Sequence, residues 1–154
     1  LLRKLWTEPV VTFEGDFDRV RGVSVNPLPV QRPIPIWFGG SVERARRRAA
    51  VLGDGLVMQL PVPDLPLESD WPDTMEEMRR WRREAGKPGD VGFEARLTLD
   101  LARSPEEWRA TASQWQELGA SHLAVRTIRL GLHGVEEHLA RFALASEALA
   151  DFLR

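Results

Sequence analysis

Short apolar runs alternate along most of the chain with segments whose apolar residues recur every three or four positions. The runs are typical of buried strands, and the periodic segments are typical of helices that bury one face. From residue 34 onward the apolar runs lie at 34–38, 55–60, 93–101 and 122–126. The periodic segments lie at 42–52, 73–85, 105–118 and 135–153. Strand followed by helix, four times over, predicts an α/β fold built from parallel βαβ units.

The first 33 residues do not follow this pattern. Residues 1–6 read as a helix end with neither a capping residue nor a methionine before it, which favours a fragment over a short native helix. Two β-like runs, at 10–13 and 17–20, flank Glu14-Gly15-Asp16 and predict a small hairpin. Several prolines then predict an extended excursion, because proline fixes φ. The predicted organisation is therefore 1–33 (helix end, hairpin and proline-rich excursion) and 34–154 (four βα units).

Four βα units are half of a (β/α)8 barrel, which needs about 250 residues. Four parallel units in a row cannot close, so the strands at 34–38 and 122–126 are predicted to remain as edges that invite another chain. We also expect an apolar inner face to stay uncovered. This face would be formed by Ile34, Ile36, Phe38, Leu123 and Val125. The chain is therefore expected to pair with a missing barrel half or to form a homodimer.

The periodic segments also predict which helix residues are buried. In the first helix these are Val42, Ala45, Ala49 and Leu52. In the last helix they are Val135, Leu139, Phe142, Leu149 and Leu153. Ser104 is predicted to cap the third helix, with Pro105 as its first residue.

Composition narrows the class of protein. The formal net charge of −2 and the pI near 6.0 offer no general attraction to nucleic acid or to an anionic membrane. The 154 residues include no cysteine, which excludes disulfides and thiolate metal sites. The three histidines lack the spacing of a metal site, so no metal is expected. No apolar run approaches the roughly 20 residues that span a bilayer, and no signal peptide is recognisable, so a cytoplasmic protein is predicted.

The best candidate site is the turn Phe38-Gly39-Gly40-Ser41-Val42, where a strand leads directly into a helix. Glycine lets the backbone approach a ligand closely, and a helix N-terminus offers free N–H groups to an anion. Gly39, Gly40 and Ser41 are therefore predicted to bind a phosphate, with Arg44 in the first helical turn beside them. The alternative is a plain tight turn in which Ser41 only caps the helix. The other arginines of this helix are interpreted as a solvated face, and a funnel that attracts an anion is the alternative.

Two further positions follow predicted strands at their carboxyl ends, where barrels keep their active sites. Arg126 ends the fourth strand and Gln59 ends the second. Each is a candidate contact for substrate or cofactor, and a surface or packing role is the alternative for each.

Three stretches of the chain resemble the luciferase-like monooxygenase family. The first comprises 5–8, Val11-Thr12-Phe13-Glu14-Gly15 and 27–33. The second is Pro35-Ile36-Trp37-Phe38-Gly39-Gly40-Ser41, followed by Gly53-Asp54-Gly55. The third is 118–125, followed by Glu137-His138-Leu139. Together they span nearly the whole chain in the order that the family has them.

The resemblance implies a (β/α)8 barrel in which this chain supplies the fifth through eighth βα units, the C-terminal half. Family members use FMN or the deazaflavin F420, and they transfer hydride or activate oxygen at the reduced flavin. The motifs at 13–15 and 35–40 resemble the F420-using branch of the family slightly more. The resemblance also places the cofactor phosphate at Gly39, Gly40 and Ser41. The family's proton-handling groups lie largely on the first four strands, so no catalytic residue is assigned.

The predicted function is that of a flavin- or F420-dependent oxidoreductase or monooxygenase acting on a small organic substrate, with this chain as its phosphate-binding half. Two alternatives stay open. One is a non-catalytic half-barrel that binds a phosphorylated cofactor or assembles with a partner, and the other is a different barrel class that handles phosphorylated metabolites. The nucleophile elbow, the P-loop and the dinucleotide-binding glycine motif are all absent from the sequence.

Overall fold

The structure, a computed structural model, describes residues 1–57 and 71–152. The chain divides into two compact units, Leu1–Ile36 and Trp37–Arg154. Among the described residues, no helix is long and apolar enough to cross a membrane.

The first unit contains one short helix and a hairpin. Helix α1 spans Leu2–Thr7, and strands β1 (Val11–Glu14) and β2 (Arg19–Val23) pair antiparallel. The N–H of Gly15 donates to the carbonyl of Asp18 at 2.9 Å and closes the turn. The predicted hairpin is confirmed, but its second strand begins two residues late because Phe17 lies in the turn, 98% exposed.

The second unit alternates strand and helix. Its elements are β3 (Trp37–Gly39), α2 (Glu43–Leu52), β4 (Gly55–Val57), α3 (Trp71–Glu84), β5 (Gly92–Thr98), α4 (Pro105–Glu117), β6 (His122–Arg126), α5 (Val135–Ala148) and a final 3-10 turn (Ala150–Phe152). All four strands are parallel and lie in the order β3-β4-β5-β6. The predicted α/β fold with a parallel sheet is confirmed. Membership of a half-barrel stays a prediction.

One face of this sheet carries the core. The register places Phe38 beside Leu56 and Leu56 beside Phe93, and the same face continues along β5 and β6. These residues belong to or pack against a buried cluster that includes residues of α2, α3 and α4: Ala49, Ala50, Trp71, Met75, Met78, Trp81 and Trp115. A second buried cluster lies nearer the carboxyl ends and comprises Leu97, Leu99, Trp108, Ala112, Ala145 and Leu149. The helices therefore cover the apolar face of the sheet.

The second face of the sheet is polar and aromatic. Strand alternation places Trp37 there together with Glu94, Arg96, His122 and Arg126. The Nε atom of Arg96 lies 3.6 Å from a carboxylate oxygen of Glu94. The expectation of an apolar inner face is wrong, because Phe38, Leu123 and Val125 pack against the clusters on the helix side.

The ring of Trp37 lies across the start of three strands. A Cβ atom added at Gly92 would come within 2.7 Å of a ring atom, and one added at Gly55 would also collide with the ring. Beyond them the ring meets the imidazole of His122 edge to face, with centroids 4.8 Å apart. The two glycines thus make room for one aromatic side chain that covers the amino ends of β4 and β5.

Two of the predicted helix faces differ from the structure. In α5, Val135 and Leu139 are 61% and 60% exposed and Phe142 is also exposed, whereas Ala145 and Leu149 are buried. Helix α5 contributes Ala145 and Leu149 to the second cluster, and Arg141 lies over the Trp108 ring of α4, whereas the apolar stripe at the start of α5 stays exposed. In α2, Val42 and Leu52 are exposed and the adjacent alanines at 49 and 50 face the core. Leu153 lies outside the described residues.

A buried arginine joins the ends of two helices. The side chain of Arg82 is 6% exposed. Its Nη1 donates to the carbonyls of Ala50 at 3.2 Å and Gly53 at 3.0 Å, at the C-terminus of α2. Its Nε and Nη2 donate to the carbonyls of Pro88 and Gly89, in the loop after α3. The cation thus satisfies carbonyls at the negative end of the α2 dipole.

The loop between β5 and α4 is held by one carboxylate. Asp100 accepts hydrogen bonds from the backbone N–H groups of Ala102 and Arg103, and it pairs with the Arg103 guanidinium at 2.5 Å. Burial acts to raise the pKa of Asp100, but the hydrogen bonds and charge of Arg103 outweigh it and hold that pKa below its ordinary value. Ser104 then caps α4 in a capping box with Glu107, with Pro105 at the first position, as predicted.

We expect replacement of Arg82 by Met to lower the free energy of unfolding by about 2 kcal/mol or more, since buried carbonyls would lose a charged donor. Arg83 is the matched control, because its guanidinium pairs with Glu76 at the exposed surface. Arg83→Met should cost about 1 kcal/mol or less. Urea unfolding of the two variants measures the difference, and equal losses would contradict the assigned role of Arg82.

Replacement of Asp100 by Asn should make the free energy of unfolding less dependent on pH. Because the folded-state pKa of Asp100 is lowered, its ionisation stabilises the fold above the unfolded-state pKa, and this contribution disappears as pH falls through the folded value. Wild type should therefore be the more stable protein at neutral pH, and the two should converge in strong acid. Urea unfolding between pH 7 and pH 2 measures the gap. A gap that does not change with pH would refute the role.

Candidate functional site

The turn after β3 requires glycine at one position. Gly40 has φ +136°, and a Cβ atom added there would lie 2.8 Å from the Cβ of Ala45. Its N–H donates to the carbonyl of Val57 at 3.1 Å and extends the β3–β4 ladder by one bond. The shape of the turn therefore explains glycine at 40 without any ligand.

Gly39 is different. It is the last residue of β3, it is exposed, and a Cβ atom there would meet only the carbonyl oxygen of Val57 at 3.8 Å. Neither its φ nor its neighbours exclude a side chain. The glycine leaves accessible backbone at the carboxyl edge of the sheet, where a ligand could approach.

Helix α2 begins without a side-chain cap. Its N-cap residue is Val42, in extended conformation, and Val42 cannot accept a hydrogen bond through its side chain. Ser41 lies one residue earlier, so the alternative in which Ser41 caps the helix is wrong. The first N–H groups of α2 have no side-chain acceptor at the cap and keep the partial positive charge of a helix N-terminus.

Arg46, which the sequence analysis left on a solvated face, reaches back to this turn. Its Nη1 donates to the carbonyl of Ser41 at 2.9 Å. Its Nε is buried and has no hydrogen-bond partner among the described residues. The predicted Arg44 is exposed in the first helical turn. Side chains on a helix point toward its N-terminus, and this tendency could have indicated that Arg46 reaches the turn before α2.

A second polar group lies at the carboxyl ends of β5 and β6. The Nε of Arg126 donates to the hydroxyl of Thr98 at 2.8 Å, and an Nη of Arg103 donates to the carbonyl of the same threonine at 3.0 Å. Thr98 is fully buried and Arg126 is half-buried. The sequence analysis predicted Arg126 but missed Thr98, whose role depends on the parallel register of the two strands.

Thr127 and His138 form a further contact beside Arg126. The Thr127 hydroxyl lies 2.7 Å from Nδ1 of His138, so the second turn of α5 is tied to the end of β6. From the sequence, His138 was part of the family resemblance and was rejected as a metal ligand, and its contact with Thr127 was not predicted. In the part of the chain that the structure describes, no group of three or more His, Cys, Asp or Glu side chains could hold a metal.

The structure places the two predicted groups at one edge but at its opposite ends. Gly39 ends β3 and Arg126 ends β6, with β4 and β5 between them. Three strand spacings correspond to about 14 Å along the sheet. Gln59 lies outside the described residues. The carboxyl edge therefore combines an uncapped helix N-terminus on one side with a cationic, hydroxyl-bearing group on the other.

Several known proteins are similar to this chain. The F420-dependent glucose-6-phosphate dehydrogenase of Segniliparus rotundus is 29% identical over 124 residues, which are 79% of this chain and 35% of that enzyme. The FMNH2-dependent dimethylsulfone monooxygenase of Pseudomonas putida is 41% identical over 54 residues, which are 34% of this chain and 15% of that enzyme. The chain thus matches about a third or less of the length of these relatives.

Among solved structures, an F420-dependent secondary alcohol dehydrogenase in complex with an F420-acetone adduct is 19% identical. It aligns with 95% of this chain and 50% of its own length, at a TM-score of 0.49. The sequence model of the luciferase-like monooxygenase family matches residues 1–151. With that match over nearly its whole length, the chain belongs to the luciferase-like monooxygenase family.

Proposed function

We propose that this chain is the phosphate-binding half of a luciferase-like oxidoreductase or monooxygenase that uses FMN or F420. The observation that carries the proposal is the turn at Gly39, Gly40 and Ser41, which leads into a helix without a side-chain cap. FMN ends in a phosphate, and F420 carries a phosphodiester. Both groups are anions that a helix N-terminus binds through its free N–H groups.

The residues at this turn fit such a group. Gly39 leaves the backbone accessible, and Ser41 can add a hydroxyl donor. Arg46 is bonded to the Ser41 carbonyl through Nη1, and its buried Nε has no acceptor among the described residues. Arg44 in the first turn adds positive charge at the surface. The donor set is thus made of N–H and O–H groups, which suits a phosphate and would not suit a cation.

When bound, the cofactor would supply hydride transfer or oxygen activation, as flavin-type cofactors do. The residues of this chain would bind and orient it. The turn after β3 would hold the phosphate, while Arg126, held by Thr98 at the other end of the carboxyl edge, would contact the ring system or a small organic substrate. Gln59, which lies outside the described residues, is proposed to add a further contact to cofactor or substrate.

The turn after β3 would serve FMN or F420. Among the relatives, the glucose-6-phosphate dehydrogenases are F420-dependent and the dimethylsulfone monooxygenases are FMNH2-dependent. FMN and F420 each carry a phosphate-containing tail, and their ring systems differ. A site that addresses the tail therefore serves either one.

We further propose that additional βα units cover the flanks of this chain. Strands β3 and β6 each have one strand neighbour among the described residues, so their outer edges offer unpaired backbone groups. The stripe of Val135, Leu139 and Phe142 on α5 adds an exposed apolar surface next to β6 in sequence. The covering units would come from the remaining half of a barrel or from a second copy of the chain.

The phosphate should dominate cofactor affinity. We expect the protein to bind FMN more tightly than riboflavin, or F420 more tightly than its precursor that lacks the phosphodiester, by about tenfold or more. Gly39→Val should weaken binding of the phosphorylated form because a side chain would obstruct the backbone. Gly39 makes a cleaner test than Gly40, since its φ and surroundings tolerate a side chain. Fluorescence titration measures the affinities, and equal values within each pair would sink the assignment.

The 154-residue chain on its own should associate in solution. Light scattering should report a dimer or larger species, and Leu139→Glu should shift it toward monomer by placing a charge on the stripe. Leu144→Glu is the control, since Leu144 is also exposed but lies about 140° around the helix from Leu139. A chain that stays monomeric at high concentration without any substitution would contradict the proposed covering.

A further inference from the structure

Arg46 occupies an unusual position for an arginine on the first half of a helix. Its side chain turns back along α2 and donates from Nη1 to the carbonyl of Ser41 at 2.9 Å. The residue as a whole is half-buried, but its Nε is shielded from solvent and has no hydrogen-bond acceptor among the described residues. A buried donor without an acceptor is unfavourable, because the group has lost its water without gaining a replacement. The arrangement is therefore expected to serve something other than the stability of the helix.

We infer that Arg46 is a positioning residue for the phosphate or phosphodiester of the cofactor. This inference rests on the proposed function. By holding the Ser41 carbonyl, Arg46 fixes the orientation of the peptide group between Ser41 and Val42, directly before the helix N-terminus at which the anion would bind. Its own guanidinium, which carries five N–H donors in a rigid plane, places a positive charge within hydrogen-bonding distance of the turn.

The other arginines of α2 are arranged differently. Arg44 and Arg48 are exposed. Arg47 lies over the ring of Trp81, with its guanidinium carbon 5.8 Å from the ring centroid. All four contribute to the positive field around the helix, but among them only Arg46 donates a hydrogen bond to a described residue of the turn. A general electrostatic effect would be shared by the four, whereas a positioning effect would belong to Arg46.

This difference defines a readout that a purely structural role would not change. The quantity is the ratio of affinities for a phosphorylated cofactor and its unphosphorylated counterpart, FMN against riboflavin or F420 against its precursor. A residue that only stabilises α2 would change both affinities alike when removed. A residue that positions the anion site would change the ratio.

The experiment compares Arg46→Met, Arg46→Lys and Arg48→Met in the complete protein, by fluorescence titration at fixed ionic strength. For Arg46→Met we expect FMN or F420 affinity to fall by about tenfold, with the affinity of the unphosphorylated counterpart unchanged. Arg46→Lys keeps the charge but not the planar fork, so its affinity should lie between those of wild type and Arg46→Met. Arg48→Met should change the ratio by less than about twofold.

The possible outcomes distinguish a failure of the proposed function from a failure of the inference about Arg46. If wild type shows no preference for the phosphorylated forms, the proposed function fails and the inference fails with it. If wild type shows the preference but Arg46→Met leaves the ratio unchanged, or Arg48→Met lowers it equally, the inference about Arg46 is overturned and the proposed function stands. If Arg46→Met does not fold, Arg46→Lys decides, because a ratio equal to that of wild type would then overturn the inference.

Discussion

One parallel register running through four strands determines the rest of the second unit. It aligns Phe38, Leu56 and Phe93 on the face that the helices cover, and it aligns Trp37 with Gly55 and Gly92 on the other face. A shift of one residue in β5 would bring a side chain under the Trp37 ring and turn Glu94 and Arg96 toward the apolar core. Both changes are costly, since one creates a collision and the other buries charge. The tryptophan and its two glycines therefore act as a steric check on the register.

The same register decides what meets at the carboxyl edge. Because all four strands point the same way, the turn after β3 and the residue that ends β6 lie at one edge. Gly39 and Arg126 are nevertheless 87 positions apart in the sequence. It also brings Thr98 beside Arg126, so that a fully buried hydroxyl fixes a half-buried guanidinium. The chemistry of the edge thus follows from strand direction and side-chain alternation more than from any single motif.

Local signals predicted the local features of this fold well. Strand β6 has the predicted bounds, and α4 begins at the predicted cap, because an apolar run and the Ser-Pro-x-Glu start act within a few residues. Burial in α5 could not be predicted in the same way. The spacing of Val135, Leu139 and Phe142 is that of a buried stripe, but whether such a stripe is buried depends on what packs against it.

The same distinction between local and long-range signals applies to the candidate site. The glycine turn was recognisable from the sequence, but the reason for each glycine was not: Gly40 is required by φ and by Ala45, and Gly39 is required by neither. Arg46 could not be singled out from the sequence, since it is one of four arginines on the helix and the direction of its side chain depends on the rotamer. Sequence reasoning thus finds the type of a site more easily than the side chain that completes it.

The bonds of Arg82 have a consequence for how the second unit opens. Its guanidinium binds the last carbonyls of α2 and the loop after α3 at once, so neither helix end can loosen without exposing an unsolvated cation. Helices α2 and α3 should therefore behave as one cooperative block, with their backbone amides exchanging hydrogen for deuterium together. Helix α2 also begins at the glycine turn. A ligand held at its first residues would thereby slow exchange in α3, although the two helices belong to different βα units.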